Sequence, residues 1–588
     1  MGNCISRFQL VQSTDEGHSE KCGNASGLPS CSVFPIQEPT QSFWTFPPSS
    51  IATHVSSDNF PTHADVVIIG SGISGASFAR TLLGFSQERD DNSDPLSVVM
   101  LEAQETCSGA TGRNGGHINP PIYHDYEDLK RSLGKAAAQQ IMRFRLAHLD
   151  VLLETAKTEA DGADCREVES VDVFFDDTVF AEAKRKLSVF EEDMPEEASA
   201  NRIWEGEDAQ KRYNLSALAV GCVTTRAGAV HPYRFVTDIL SRLLEEYPKD
   251  FQLFTNTPCV SVTEPSSTNP FYSLTTSRGE LSTFHVVHLT NAYVGGLVPG
   301  LADVVYSVRE TMSAQRPGRA LQFQSYGDRD GQKNHGKRSY VFFDSPEQKG
   351  FDYLTQIPDG EHELMFGGGR EALPETDAKN GQACRPTPRG LYDVHSAAHV
   401  SGALPIYFGA TNWGAEAVSA VESLASDVQE DAQRQLRDPW AAGRVKAIWS
   451  GVLSVSVDEF PWVGRIPSAI SGRRSPTTGV TVSEKGKRAR MADPGEWIAA
   501  GYSGEGMVHA WLCARALALM VLGLDTVGDV EVEGYYGAGQ TVDEWLPACY
   551  RITVARLRNA RKERKGLRSG GEAVVRGGVG KMKIYQGV

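Results

Sequence analysis

The 588-residue chain lacks the marks of a metal-binding or disulfide-stapled protein. Its ten cysteines form no CxxC pair, which removes the usual spacing of a structural zinc site. Their scatter suits a reducing compartment rather than a disulfide framework. Basic charge is short as well: 58 Lys and Arg against 74 Asp and Glu leave a formal net charge of −16, the wrong sign for a nucleic-acid binder. Long apolar runs are missing. The longest, Leu512 to Leu524, contains Arg515 and is too short to span a bilayer, so it reads as a core helix. The N-terminus has no apolar segment of the secretory type. What remains is a chain expected in the cytoplasm, 40% hydrophobic and long enough for two interleaved domains with substantial cores.

The most informative stretch present is Ala64 to Gly75, where apolar β-formers run into Gly70-x-Gly72-x-x-Gly75. Apolar residues then recur at helical spacing through Ala76, Phe78, Ala79, Leu82 and Leu83. Strand, tight turn and helix in that order make a dinucleotide-binding βαβ unit. Gly70 permits the turn, Gly72 lets backbone approach a pyrophosphate, and Gly75 lets the helix pack on the strand. The helix N-terminus offers N–H groups and a positive dipole end to phosphate. A second strand, Ser97 to Leu101, ends at Glu102, an acid placed for ribose hydroxyls. The interval exceeds the usual ~20 residues, and the excess sits in the polar loop Glu88 to Pro95. No second GxGxxG follows, so electrons should come directly from a substrate rather than from a separate NAD(P) domain.

Residues 1–60, rich in Ser, Thr, Pro and Gln, read as a largely disordered arm. Within it, the aromatic segment Pro39 to Pro47 is expected to dock on the folded body. Met1-Gly2-Asn3-Cys4-Ile5-Ser6 fits the N-myristoylation pattern, with Cys4 open to palmitoylation. Two acyl chains would hold a protein at a membrane where one would not. After Glu102 comes Ser108 to His117, with four Gly in nine residues beside Arg113 and Asn114, a backbone suited to lie against a flat or charged ligand.

Helices are expected over Tyr126 to Ala160 and Thr178 to Glu192. Strands are expected at Val171 to Phe175, Cys259 to Thr263, Phe271 to Thr276, Phe284 to Thr290 and Ala447 to Val457, with a turn over Arg226 to Pro232 and a further helix over Ala415 to Gln435. Residues 305–370 read as an antiparallel sheet inserted into an α/β domain. Ser471 to Pro494 reads as a mobile basic insertion, and residues 549–588 as a basic, solvated tail that could add attraction to anionic lipid.

Six separated segments resemble one family, in its order: the Gly70–Gly75 turn, Glu102, the SGATGRNGG stretch, Leu289 to Tyr293, Asp458 to Gly464 and Ala500 to Met507. The chain is similar to the FAD-dependent amine and amino-acid oxidoreductases related to D-amino acid oxidase, sarcosine oxidase and glycine oxidase. The SGATGRNGG wording is closest to the gamma-glutamylputrescine oxidase branch and its fungal relatives.

The resemblance implies an α/β FAD-binding domain, Rossmann-like and of glutathione-reductase type, over 61–125, 215–300 and 440–548. An inserted antiparallel-sheet α+β substrate domain would take 126–214 and 301–439. Gly70, Ser71, Gly72, Ile73, Ser74, Gly75, Glu102 and Ala103 would hold the ADP half of FAD. Thr111, Gly112, Arg113, Asn114 and Gly115 would line the pyrophosphate-to-flavin side, and the Val260 backbone would sit near the adenine. Gly501, Tyr502, Gly504, Glu505, Gly506 and Met507 would form a turn beside the flavin ring.

Two departures matter. Covalent relatives use a His in a Thr-Trp-His step or a late Cys, where this chain has Thr111-Gly112-Arg113 and Gly451; dissociable FAD is expected. Sarcosine oxidases grip the substrate carboxylate with a Lys near their GHG turn, whereas Val508 follows Met507 here. That leans toward a polyamine, an N-substituted amine or a larger amino compound, with Arg309 and Arg370 as other possible carboxylate partners.

The expected activity is oxidation of a C–N bond by hydride transfer to flavin, with O2 as acceptor giving H2O2. Alternatives are a hydroxy-acid dehydrogenase feeding a membrane quinone and a non-catalytic flavin-binding scaffold. No catalytic base stands out; His231 and His509 near family segments read as structural.

Overall fold

The computed structural model describes residues 35, 39–87, 96–323, 336–344, 350–369, 392–417, 439–476, 491–527, 539–569, 573–576 and 581–584. All lie within one compact unit, Cys31–Val588. Gly2, Cys4, Arg370, the polar loop before the second strand, most of the expected helix after Ala415 and the centre of the basic insertion fall outside them.

Two sheets organise the chain. The first has eight strands, six of them in the order Trp462–Arg465, Gly495–Ala500, Gly279–His288, His63–Ile69, Val98–Leu101, Phe251–Phe254. The central pairings are parallel, and a hairpin of Cys259–Thr263 and Tyr272–Thr276 continues from Gly279–His288. Parallel strands are covered on both faces, which explains the unbroken apolar run: Val66, Val67 and Ile68 are fully buried. The helix Ile73–Gln87 buries Ala76, Phe78, Ala79, Leu82 and Leu83 in the same core as the helix Ala510–Val521. Every residue of that second helix is buried, Arg515 included, as expected of a core helix. Among the described residues no helix is long and apolar enough to cross a membrane.

The second sheet has nine strands, eight of them in the order Val445–Ser456, Val305–Gln315, Leu364–Gly368, Asp352–Gln356, Arg338–Phe343, Arg166–Phe174, Gly221–Ala229, His117–Ile118. Its pairings are antiparallel except Arg338–Phe343 with Arg166–Phe174. The inserted antiparallel sheet is therefore present, but wider than the sequence indicates. Gly221–Ala229 and Val445–Ser456 lie in it rather than in the FAD-binding sheet. Arg226 to Ala229, expected as a turn, are strand residues; the helix begins at Pro232, capped by the His231 side chain accepting from Arg234 N–H at 3.3 Å. Small Gly, Thr and Ala side chains hid this strand from a reading based on hydrophobic alternation.

The aromatic segment docks on the folded body as expected, and part of the basic C-terminal segment is ordered as well. Trp44 is buried and donates to the Asn114 carbonyl, while Ser42 Oγ donates to the Gly112 carbonyl at 2.7 Å; the aromatic segment thus clamps the glycine-rich stretch. The expectation of a solvated tail fails for Val554–Ser569, which is helical. Leu557 and Ala560 are buried, Arg556 pairs with Asp458 at 2.7 Å and lies over the Trp462 ring, and Arg561 pairs with Asp303 at 2.8 Å. Arg556 and Arg561 are partners of the body's acids, a role that composition alone does not reveal.

Candidate functional site

A cavity of about 430 Å3 opens where the carboxyl ends of the first sheet's parallel strands meet the second sheet, the position at which open α/β sheets bind ligands. At one end Gly70, with φ +113°, turns the chain; a Cβ there would stand 2.7 Å from the Leu289 carbonyl oxygen. A Cβ on Gly75 would meet the Gly70 carbonyl oxygen at 2.2 Å, so the helix packs on the strand as the motif requires. Glu102 closes this end. Its Oε2 accepts from Ser71 N–H and Oγ at 3.1 and 2.7 Å, and its Oε1 from Gln104 N–H at 3.0 Å.

Ser71, Gly72, Ile73, Ser74, Ala103, Thr111, Arg113, Asn114 and Gly115 join Gly70 and Glu102 in the wall, as do Tyr502, Gly504, Glu505, Gly506 and Met507. Gly75, Gly112 and Gly501 stand behind it: a Gly112 Cβ would lie 2.3 Å from the Cys107 carbonyl oxygen and a Gly501 Cβ 2.9 Å from the Trp462 ring. Val260 is not in the wall. Pro258 and Cys259 are, and the Val260 side chain is 45% exposed.

The late turn is tied to both sheets. Gly501 N–H and Ser454 Oγ both donate to Asn291 Oδ1, at 3.1 and 2.6 Å, and Ser456 N–H donates to Ser503 Oγ. Arg113 acts as a strut, its Nε donating to the Ser108 carbonyl at 2.8 Å and its Nη1 to the Ser450 carbonyl at 2.9 Å. Burial lowers its pKa to about 10, against a supporting charge effect from Tyr293. Arg309 is not in the wall.

Sequence reading missed two groups. The first is a buried charge cluster behind Glu505. Arg145 reaches Glu505 Oε2 at 3.1 Å and Asp125 Oδ2 at 2.8 Å, and its Nε donates to His509 Nε2 at 3.3 Å. Burial pushes the Glu505 carboxyl up to about 7; Arg145 opposes the rise and Asp125 adds to it. His509 Nδ1 lies 2.9 Å from the Glu505 carbonyl, and burial holds its ring neutral. His231 is likewise pushed down, to about 3, mainly by burial. Both histidines are structural.

The second group is a row across the second sheet. Val223, Asp172, Val341, Tyr353, Gly367, Met312 and Trp449 are successive register partners and so share one face. Asp172, Val341, Tyr353 and Met312 line the cavity. Tyr353 OH accepts from Gly115 N–H at 3.1 Å, and a Cβ on Gly115 would strike its ring at 2.4 Å. That contact joins the glycine-rich stretch to the second sheet.

Three buried wall atoms have no hydrogen-bond partner among the described residues: Thr290 Oγ1, His117 Nε2 and Glu505 Oε1. Leaving a buried polar group unpaired costs about 1–3 kcal/mol, so their common wall is the signature of a polar ligand. The glycine cradle, the helix N-terminus and Glu102 fit the ADP half of a dinucleotide.

The sequence model described as "FAD dependent oxidoreductase" matches residues 65–520. The chain belongs to this family. It is an FAD-dependent oxidoreductase of the D-amino acid oxidase type, and the family acts on amino-acid or amine-like substrates. Its fold is similar to glycine oxidase from Geobacillus kaustophilus (14% identity, TM-score 0.50, covering 79% of this chain and 95% of that one). It is also similar to L-proline dehydrogenase from P. horikoshii (17% identity, TM-score 0.51, covering 84% and 98%). A curated relative, "Probable oxidoreductase OrdL" from Haemophilus influenzae, is 21% identical over 238 residues, 40% of this chain and half the length of that protein.

Proposed function

We propose that this FAD-dependent oxidoreductase removes a hydride from a carbon bonded to an amine nitrogen, that its substrate lacks a free carboxylate, and that O2 is the acceptor. The observation that carries the substrate reading is the structural engagement of Arg113: among the described wall residues it is the guanidinium, and its Nε and Nη1 are held by the Ser108 and Ser450 carbonyls. Arg145 is neutralised by Asp125 and Glu505. Within the family this favours amine substrates over small amino acids.

When bound, FAD accepts two electrons and a proton equivalent from the C–H bond and passes the electrons to O2, giving H2O2. The chain's own residues position and exclude water. Tyr353 and Met312 supply an apolar wall, and the Gly504–Met507 turn offers backbone N–H groups where negative charge develops. Glu505, a wall residue whose Oε1 has no partner among the described residues and whose carboxyl is raised by burial, is the group placed to hold or release the amine's proton. FAD is held without a covalent bond. Gly451 stands in the wall, and burial pushes the wall thiols Cys107 and Cys259 up, the latter to about 12, away from the nucleophilic thiolate.

The test is a comparison of H2O2 release with dye reduction on an amine panel. Peroxide formed in step with amine consumption supports the reading. Dye reduction without peroxide would replace the oxidase by a dehydrogenase. Flavin retained on acid-precipitated polypeptide would overturn non-covalent binding. Acylation at Gly2 and Cys4, with peripheral membrane association, is part of the same proposal; intact-mass measurement of the chain expressed in a eukaryotic cell checks it.

A further inference from the structure

Asp172 is the charged residue in an otherwise apolar row of the second sheet, and its setting identifies it as a recognition group. It is 4% exposed and lines the cavity. Tyr123 OH donates to its Oδ2 at 2.7 Å, and His124 Nε2 lies 3.1 Å from the same oxygen. No described residue donates to Oδ1, and no described Lys or Arg pairs with the carboxylate. Burial lowers the nearby His117 to about 4, although Asp172 works in the opposite direction, so that ring is neutral and gives no counter-charge. Burial and Asp172 together raise the Tyr123 hydroxyl well above its ordinary value, which keeps it a donor. Glu310, two residues before Met312 on the same strand face, adds a second acid to the wall.

A carboxylate taken out of water and left with one open oxygen is incompletely compensated. Tyr123 and His124 aim it, since both hold Oδ2 and leave Oδ1 toward the cavity. We infer that Asp172 binds an ammonium group of the substrate, distinct from the nitrogen at the oxidised carbon, so that the substrate class is a diamine or polyamine.

This rests on the amine reading above and adds to it. The ammonium nitrogen donates one N–H to Oδ1 in a charge-assisted bond, and the other nitrogen, deprotonated, carries the carbon that loses hydride. A carboxylate at the distal end would face Asp172 and Glu310 and be rejected by like charge.

The test uses the flavin-loaded protein under anaerobic conditions and reads the perturbation of flavin absorbance on binding. Three probes share one primary amine end and one chain length: 1,4-diaminobutane, 1-aminobutane and 4-aminobutanoate. Diamines of three to six carbons then scan the spacing. The expected ranking is diamine, then monoamine, then amino acid, with a diamine preference of about tenfold or more at the best length. Asp172→Asn is expected to bring diamine and monoamine within about twofold while retaining flavin, and Asp172→Glu to restore part of the preference. Equal binding of diamine and monoamine at every length, or preferred binding of 4-aminobutanoate, overturns the inference while leaving amine oxidation standing. Failure of every amine, including N-methylated ones, to bind or bleach the flavin overturns both. The wild-type ranking decides the matter even where the Asn variant fails to fold.

Discussion

Two buried carboxylates, one in each sheet, show how differently the halves of this protein use charge. Glu496, on the first sheet, is 2% exposed and saturated: Arg473 reaches both its oxygens, at 2.9 and 2.6 Å, and His288 Nε2 lies 3.0 Å from Oε2. Burial works to raise its pKa, but His288 and Arg473 outweigh it and hold it at about 2. Asp172, on the second sheet, is as deeply buried yet has one oxygen open to the cavity. A closed network organises structure; an open one of equal burial needs something outside the chain to complete it. Glu496 belongs to such a closed group, and Asp172 to an incomplete one.

The largest effect expected from breaking this contrast is in Glu496→Leu. Arg473 and His288 would keep their buried places without a counter-charge, and removal of one member of such a group costs about 3–5 kcal/mol, measurable by denaturant titration of the flavin-loaded protein. In the wild type the same group sets an acid limit. Its folded pKa lies below the ordinary carboxylate value, so the stability it contributes is present above about pH 4.5 and is lost as pH falls toward 2.

Gly70→Ala comes next. The positive φ and the 2.7 Å approach to the Leu289 carbonyl oxygen are expected to cost about 1–3 kcal/mol and to release FAD, read as loss of yellow colour on gel filtration.

Glu505 has the opposite sign to Glu496. Its folded pKa is raised to about 7 from the ordinary 4.5, so between those values the folded state binds more protons than the unfolded one, and stability falls as pH rises across that window. Glu505→Gln is expected to flatten this slope in melting temperatures taken from pH 4.5 to 8, and an unchanged slope would assign the proton elsewhere.

The smallest stability effect belongs to Asp172→Asn. It removes a half-paired charge and keeps a hydrogen-bonding side chain, and a change within about 1 kcal/mol is expected. A loss as large as that of Glu496→Leu would make Asp172 a structural residue and erase the comparison.

What could be read from sequence follows the same division. The Gly70–Gly75 turn, its strand and its helix were legible because their determinants are local: glycine at fixed offsets and apolar residues at periods of two and 3.6. Glu102 followed from its place at a strand end. The second sheet was recognisable as antiparallel, but its width was not, since Gly221–Ala229 presents small residues that form no hydrophobic pattern.

Asp172 carried no signal. In Val171-Asp172-Val173 it looks like the polar beat of a half-solvated strand, and only register with Val341, Tyr353 and Met312 shows that this face looks into a cavity. Arg145 and Glu505 lie far apart in the chain, so their pairing was out of reach of spacing arguments. Hairpin register, which spacing cannot give, puts Pro258 and Cys259 in the wall with Val260 just outside it.

The most direct measurement is anaerobic titration of the purified, flavin-loaded protein with 1,4-diaminobutane and its homologues, following the absorbance of oxidised flavin. The account expects stoichiometric bleaching by amines and restoration of the absorbance, with H2O2 formed, when air is admitted. Flavin that dithionite reduces but that no amine bleaches would contradict it.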